Sequence, residues 1–518
     1  MIGAQALIRT LVDAGVTTCF TNPGTSEMHF VAALDEVPEM RAVLALFEGV
    51  ATGAADGYAR MTDAPGATLL HLGPGLGNGL ANLHNGRRAK VPIVNIVGDH
   101  ATYHTQYDSP LQSDIETIAR NVSPWVRTSK RTADLAADAV EAVAAAHGPP
   151  GQVATLILPA DVSWGDGAEP LAVPERDKPL PTATEDTVQA AAAALRDGGA
   201  TALLLGGRAL RERGLLAAGR IAAVTGARLL GVVFPTRLQR GAGLPAVERL
   251  PYFPEAAMAR LEGLEQLILV EAKPPASFFA YPGNRSCLVP DGCEVHELAS
   301  PVTDAVASLE ALVEALGAAA ATPERQQAFR PQEPTGPLDA EKVAQAIGAV
   351  LPEGAIVSDE GITSAIHLPA HTAGAPRHDW LTLTGGAIGE GLPLAVGAAV
   401  ACRDRAVFAL QADGSGLYTI QALWTMAREQ LDVTVVIFNN RAYRILKIEL
   451  ERVGAQPAGP KADAQFDLGH PDIDFVELAS GFGVPARRAD TGEELSDALQ
   501  VAAAEPGPHL IDAVIGRA

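Results

Sequence analysis

A chain of 518 residues, 47% hydrophobic and only 5% aromatic, carries enough apolar material for about three domains of roughly 150 residues each. Its formal net charge of −22 opposes a nucleic-acid partner or an acidic membrane surface, both of which favour basic faces. Four scattered cysteines (Cys19, Cys287, Cys293, Cys402) give neither a disulfide framework nor zinc-site spacing. With no basic N-terminal leader and no apolar run of about 18 residues, a cytoplasmic protein without membrane partner is the expectation.

Two proline-rich polar stretches, Gly165 to Thr187 (Pro170, Pro174, Pro179, Pro181) and Thr322 to Pro337, read as linkers. They divide the chain into 1–165, 188–320 and 338–518.

The first third alternates helix and strand signals. Ala4, Leu7, Ile8, Leu11 and Val12 form one helical face stopped by Gly15, and Thr17 to Thr21 reads as a strand ending in Asn22-Pro23-Gly24-Thr25. Val43 to Phe47 is another strand, directly followed by Glu48 and a small-residue helix. A strand at Thr68 to Leu72 carries His71 into a turn, Gly73-Pro74-Gly75-Leu76-Gly77-Asn78, which lacks the spacing of a dinucleotide fingerprint. Further strands are expected at 92–97 and 153–158.

The middle third repeats the pattern at 202–205, 228–233, 266–270 and 294–298, with few convergent polar groups; Gly206-Gly207 reads as a turn after a strand. The last third opens with a helix at 341–350 and a strand at 355–357, followed by the polar cluster Ser358 to Thr363 and then a glycine-dense turn, Gly385 to Pro393, that enters an Ala/Val helix.

The stretch from Ala406 to Lys447 carries the most chemistry. Its apolar runs at 406–410 and 433–438 suit parallel strands buried on both faces, with a helix patterned on Leu417, Ile420, Leu423 and Trp424 between them. Asp413-Gly414-Ser415 and Asn439-Asn440 then emerge at carboxyl ends of parallel strands, on one edge of the sheet. One carboxylate and one amide oxygen, without Cys or His, suit Mg²⁺, which completes its octahedron with water and phosphate oxygens. Gly414 and Ser415 begin the helix, whose free N–H groups suit a phosphate.

Asp413-Gly414-Ser415 followed by Asn439-Asn440 resembles the thiamin diphosphate motif of the decarboxylase and acetolactate synthase family, with Ala412 in place of its first glycine. That change is tolerable if the backbone there has φ < 0. Asn22 to Thr25, Glu48 with Ala54 to Arg60, Leu70-His71 and Gly385 to Pro393 recur in family order, so the likeness covers nearly the whole chain. The resemblance implies an α/β fold of three doubly wound parallel-sheet domains: pyrimidine-binding, central and diphosphate-binding. It also implies thiamin diphosphate and Mg²⁺ as cofactors.

Carried over residue by residue, the resemblance makes Glu48 the group that activates the cofactor's pyrimidine. His71 and Thr25 become groups that act on substrate. Gly361, Ile362, Thr363, Gly414, Ser415, Asn78 and Tyr443 become cofactor contacts, Gly386 offers its carbonyl to the aminopyrimidine, and Ile388 holds the cofactor bent. Asp413, Asn440 and the Ala442 carbonyl become metal ligands. The reaction implied is decarboxylation of a small-molecule 2-oxo acid, with release of an aldehyde or joining to a second carbonyl compound, in a homodimer or homotetramer whose sites are shared between subunits.

Among family members benzoylformate decarboxylases have a histidine at the position of His71, whereas acetolactate synthases have small polar residues there. A second decarboxylase histidine is replaced by Pro282, and Arg444 stands where the decarboxylase is small. The alternatives are an acetolactate synthase large subunit, which holds FAD in its central domain, and a non-catalytic cofactor-binding relative. The middle third lacks evident FAD contacts, so no FAD is expected, and intact Glu48, Asp413 and Asn440 oppose the non-catalytic reading.

Overall fold

The computed structural model describes residues 1–172, 179–455 and 459–516; Pro174, within the first linker, lies outside the described residues. Each third builds one sheet. In the first, β1 (Thr18–Asn22), β2 (Arg41–Leu44), β3 (Gly66–Leu70), β4 (Ile93–Asp99), β5 (Trp125–Thr128) and β6 (Val153–Pro159) lie in the order β2-β1-β3-β4-β6-β5 and pair in parallel. The second contains β7 (Thr201–Leu205), β8 (Arg228–Gly231), β10 (Glu248–Arg249), β11 (Gln266–Val270) and β12 (Glu294–Ala299), ordered β10-β8-β7-β11-β12.

The third sheet takes β13 (Ile356–Glu360), β14 (His378–Thr382), β15 (Val407–Ala412), β16 (Val433–Asn439), β17 (Ala486–Ala489) and β18 (His509–Val514) in the order β17-β18-β16-β15-β13-β14. Its far edge is completed by β9 (Leu238–Arg240), a strand from the middle third that pairs antiparallel with β14. The three sheets are therefore α/β and doubly wound as expected, but the last is mixed rather than purely parallel. Each reverses strand order at an interior pair: between β1 and β3, between β7 and β11, and between β13 and β15. Such reversals open the crevices in which open sheets hold ligands.

Several local expectations change. β3 stops at Leu70, His71 caps the helix Leu72–Ala89, and the glycine-rich segment forms that helix's first turns rather than a loop. Packing overrides the poor helix propensity of glycine: a Cβ on Gly73 would lie 2.4 Å from Ser113, and one on Gly79 would lie 2.8 Å from Thr52. β2 ends at Leu44, not Phe47, and Glu48 is the first residue of the helix Glu48–Thr62.

The polar residues Ser358 to Glu360 belong to β13 itself, their side chains bonded within the fold: Ser358 Oγ donates to the Gly391 carbonyl at 2.8 Å, and Asp359 Oδ2 accepts from Trp380 Nε1 at 3.1 Å. After β15 the helix is broken: Asp413–Gly416 forms a single turn and the longer helix starts only at Ala422. The break lets Thr419 donate to the Gly389 carbonyl at 2.9 Å.

The first and last thirds are locked together by close helix packing. The helix Glu48–Thr62 presents Gly53 and Gly57 to the helix Gly391–Ala401. A Cβ on Gly57 would lie 2.1 Å from the Leu394 carbonyl oxygen, and one on Gly397 would lie 1.9 Å from that of Ala54. Arg60 closes the junction. Its buried guanidinium bonds Asp56 in the first third, Glu390 and the Thr382 carbonyl in the last, and the Thr236 carbonyl in the middle. Among the described residues no helix is long and apolar enough to cross a membrane.

Candidate active site

The crevice between β13 and β15 gathers most of the residues expected to hold a diphosphate. Asp413, 2% exposed, follows β15 and accepts the Gly414 N–H at 2.8 Å and the Arg441 N–H at 2.6 Å. Burial pushes its carboxyl up to about 6. Asn440 follows the adjacent β16, in register with β15 through Ala412 and Phe438, and its Oδ1 accepts the Ala442 N–H at 2.9 Å. Ala412 has φ −73°, the condition that makes alanine harmless there.

Across the crevice, Gly361, Ile362 and Thr363 follow β13, and Ser415 reaches over so that its Oγ lies 3.2 Å from the Glu360 carbonyl oxygen. The Ser415 hydroxyl is thus turned toward the sheet. Tyr443 packs on Gly414, where a Cβ would lie 2.3 Å from its ring. Ile362 and Arg441 adopt left-handed φ of +50° and +58°, strained for side-chain-bearing residues, and for branched Ile362 most of all.

The donor set fits a hard cation. Asp413 is a buried carboxylate whose oxygens accept backbone N–H groups, with no cationic side chain bonded to it among the described residues. Among those residues no group of three or more His, Cys, Asp or Glu is placed to hold a metal.

The turn carrying Gly386 and Ile388 stands over this crevice and is braced from both ends. Glu360, itself buried, accepts the Gly389 and Gly391 N–H groups, each at 2.7 Å. Asn85, on the helix Leu72–Ala89, holds the Ala387 carbonyl at 2.8 Å and the Ala387 N–H at 3.1 Å. The Phe278 ring covers Gly386, whose φ is +74°; a Cβ there would come within 2.6 Å of the ring.

A second cluster lies on the first sheet. Glu48 is 9% exposed and receives Asn78 Nδ2 at 3.0 Å. Gly75 separates it from His71: a Cβ there would lie 3.1 Å from Glu48 Oε1 and 3.5 Å from His71 Cβ. The His71 Nδ1 atom lies 2.8 Å from Oε2 of Glu27, a residue the sequence reading did not single out. Its signal was available as an acidic residue three positions beyond the Asn22-Pro23-Gly24 turn. Thr25, exposed, opens the short turn Thr25–Glu27 beside it. Among the described residues no hydrogen bond or ion pair joins this cluster to the Asp413 cluster.

The third crevice, between β7 and β11, is filled by the chain itself. Glu271, at φ +50°, reaches the Gly206-Gly207 turn and its Oε2 accepts the Arg208 N–H at 2.5 Å. A Cβ on Gly207 would lie 2.5 Å from that carboxylate. The place where a phosphate would approach this turn therefore already holds an anion.

Residues 1–120 match the model described as "Thiamine pyrophosphate enzyme, N-terminal TPP binding domain", and residues 361–513 match the corresponding C-terminal TPP binding domain. A Mycobacterium tuberculosis protein provisionally named acetolactate synthase large subunit IlvX is 59% identical over 517 residues, 99% of each chain. Benzoylformate decarboxylase of Pseudomonas aeruginosa is 30% identical over 532 aligned residues, 96% of each. In fold, the chain superimposes on the thiamine diphosphate-dependent 4-hydroxybenzoylformate decarboxylase of Rhodococcus jostii RHA1 with a TM-score of 0.86 at 24% identity, covering 100% of this chain and 99% of the other. With both cofactor-binding halves matched and near-complete relatives on either side, the chain belongs to the thiamine pyrophosphate enzymes.

Proposed function

We propose that this enzyme binds thiamin diphosphate through Mg²⁺ and decarboxylates a small 2-oxo acid, releasing an aldehyde or joining the remaining carbon unit to a second carbonyl compound. Bound thiamin diphosphate supplies the electron sink for loss of CO₂. Asp413, Asn440 and the Ala442 carbonyl hold the metal. Gly361, Ile362, Thr363, Gly414, Ser415 and Tyr443 would line the diphosphate, Ile388 would hold the cofactor bent, and the Gly386 carbonyl would accept from its aminopyrimidine. Glu48, which accepts from Asn78, would hold or give a proton at the pyrimidine of bound cofactor, and His71 with Thr25 would serve the substrate.

The two clusters lie in different thirds of the chain without a direct bond, which supports sites completed between two subunits of a homodimer or homotetramer. The four free thiols support a reducing, cytoplasmic setting.

The observation that carries the decarboxylase form of this reading is His71. It caps a helix at a sheet crevice, its Nδ1 bonded inward and its Nε2 without a protein hydrogen bond among the described residues. Glu271, seated in the central crevice, supports an enzyme that works without FAD. The second reading, an acetolactate synthase large subunit, is favoured by the name of the 59% identical relative. A panel of 2-oxo acids, with CO₂, aldehyde and acetolactate measured separately, tests both. Aldehyde without acetolactate supports the first, acetolactate from pyruvate the second, and no CO₂ from any acid overturns both. A purified protein with a flavin absorbance band would overturn the flavin-free assignment.

A further inference from the structure

Glu27 is a side chain that neither the fold nor the cofactor site accounts for. Its carboxylate is wholly buried, and only its Oε2 is bonded, accepting the Gly24 N–H at 2.7 Å and meeting His71 Nδ1 at 2.8 Å. Oε1 has no hydrogen-bond partner among the described residues. It packs on Gly98 of β4, where a Cβ would stand 1.6 Å from it, so the pocket is shaped around this carboxylate. Gly24 does the same for the imidazole: a Cβ there would lie 2.4 Å from the ring. Neither glycine is at positive φ, so close approach rather than backbone conformation requires them.

Among the described residues a carboxylate so placed has His71 as its one ionisable bonding partner, and burying it is costly unless the partner carries a compensating charge or donates a proton. Burial raises the carboxyl's proton affinity, while the Gly24 N–H and His71 oppose that rise. The pair also occupies the point where the first sheet reverses strand order, since Glu27 follows β1 and His71 follows β3. An anion that fixes Nδ1–H inward leaves the Nε2 lone pair as the free edge of the ring.

We propose that Glu27 is a positioning residue: it holds His71 as the Nδ1–H tautomer, with Nε2 directed to the substrate for proton transfer. The assignment rests on the decarboxylase reading above. In the wild-type protein labelled with ¹⁵N-histidine, the neutral His71 signal, identified by its loss in His71→Ala, has the pattern of an Nδ1–H ring; an Nε2–H pattern overturns the pairing. Glu27→Gln, which keeps the shape, shifts that pattern toward a mixture of tautomers and lowers kcat by about tenfold or more, with KM little changed. Cofactor C2–H exchange in Glu27→Gln stays at the wild-type rate.

In the His71→Ala background the same substitution has no further effect on turnover, because the two residues act as one unit. Full additivity, or an unchanged kcat in folded Glu27→Gln, overturns the proposal. No 2-oxo acid turnover by the wild-type protein overturns the functional reading, and with it the proton-transfer role, while the tautomer signal still reports whether the pair exists.

Discussion

Arg60 Nη2 and Glu390 Oε1 lie 2.6 Å apart with both side chains buried, joining residues 330 positions distant. The same guanidinium holds Asp56 at 2.7 Å, so two carboxylates rest on one cation at the junction of all three sheets. Arg60→Met should leave both buried and uncompensated, destabilising the protein by about 3–5 kcal/mol. Urea unfolding of the variant against wild type measures this, and a loss under about 1 kcal/mol would show that the junction does not depend on the triad.

Glu360 gives the unliganded protein a pH dependence. Burial raises its carboxyl from 4.5 to about 7, despite two backbone N–H groups bonded to it. The folded state thus retains a proton that the unfolded chain has lost, so stability from this group is present below about 4.5 and declines as pH rises toward about 7. Glu360→Gln cannot ionise. The stability difference between wild type and variant should move in the variant's favour across that interval, read from thermal melts at stepped pH, and a constant difference would refute the raised affinity.

On the proposed reading Asp413 would supply a carboxylate to the metal, with diphosphate oxygens as further ligands. EDTA treatment should abolish thiamin diphosphate binding measured by calorimetry, and Mg²⁺ should restore it. Asp413→Ala should fail to bind even with excess Mg²⁺. Full-affinity binding by metal-free protein would remove the assignment.

Sites shared between subunits predict complementation. Glu48→Gln and Asp413→Ala proteins, each inactive alone, should recover part of the wild-type turnover after subunit exchange, because a mixed dimer has one intact site. Exchange verified by mass spectrometry without recovery would place both residues in one subunit's site.

The strands that position the cofactor residues were legible because a buried parallel strand is an unbroken apolar run; β15 and β16 stand within two residues of their expected bounds. β14 and β18 escaped notice because His378, Asp379 and Asp512 interrupt their apolar character, and these polar groups are buried. Asp379 meets Arg237 at 2.5 Å and Arg405 at 2.6 Å, and Asp512 meets Asn439 at 2.9 Å. Such partners come from distant chain segments, so local pattern cannot anticipate them. The same holds for the helical glycines after His71, whose helix depends on neighbours rather than propensity. At the sheet edge the positions of Asp413 and Asn440 followed from motif spacing, whereas the partners of Glu27 and Glu271 are set by what the fold brings against them.

The strand β9 limits how this chain can be cut or recombined. A fragment starting at residue 338 would carry the whole parallel part of the last sheet, yet its β14 would lose the pairing of His378, Asp379 and Trp380 with Arg240, Gln239 and Leu238. An open β14 would then offer a row of unpaired backbone groups to other chains, the usual template for edge-to-edge aggregation. Chimeras that exchange the middle third would have to import a strand matching β14 in register.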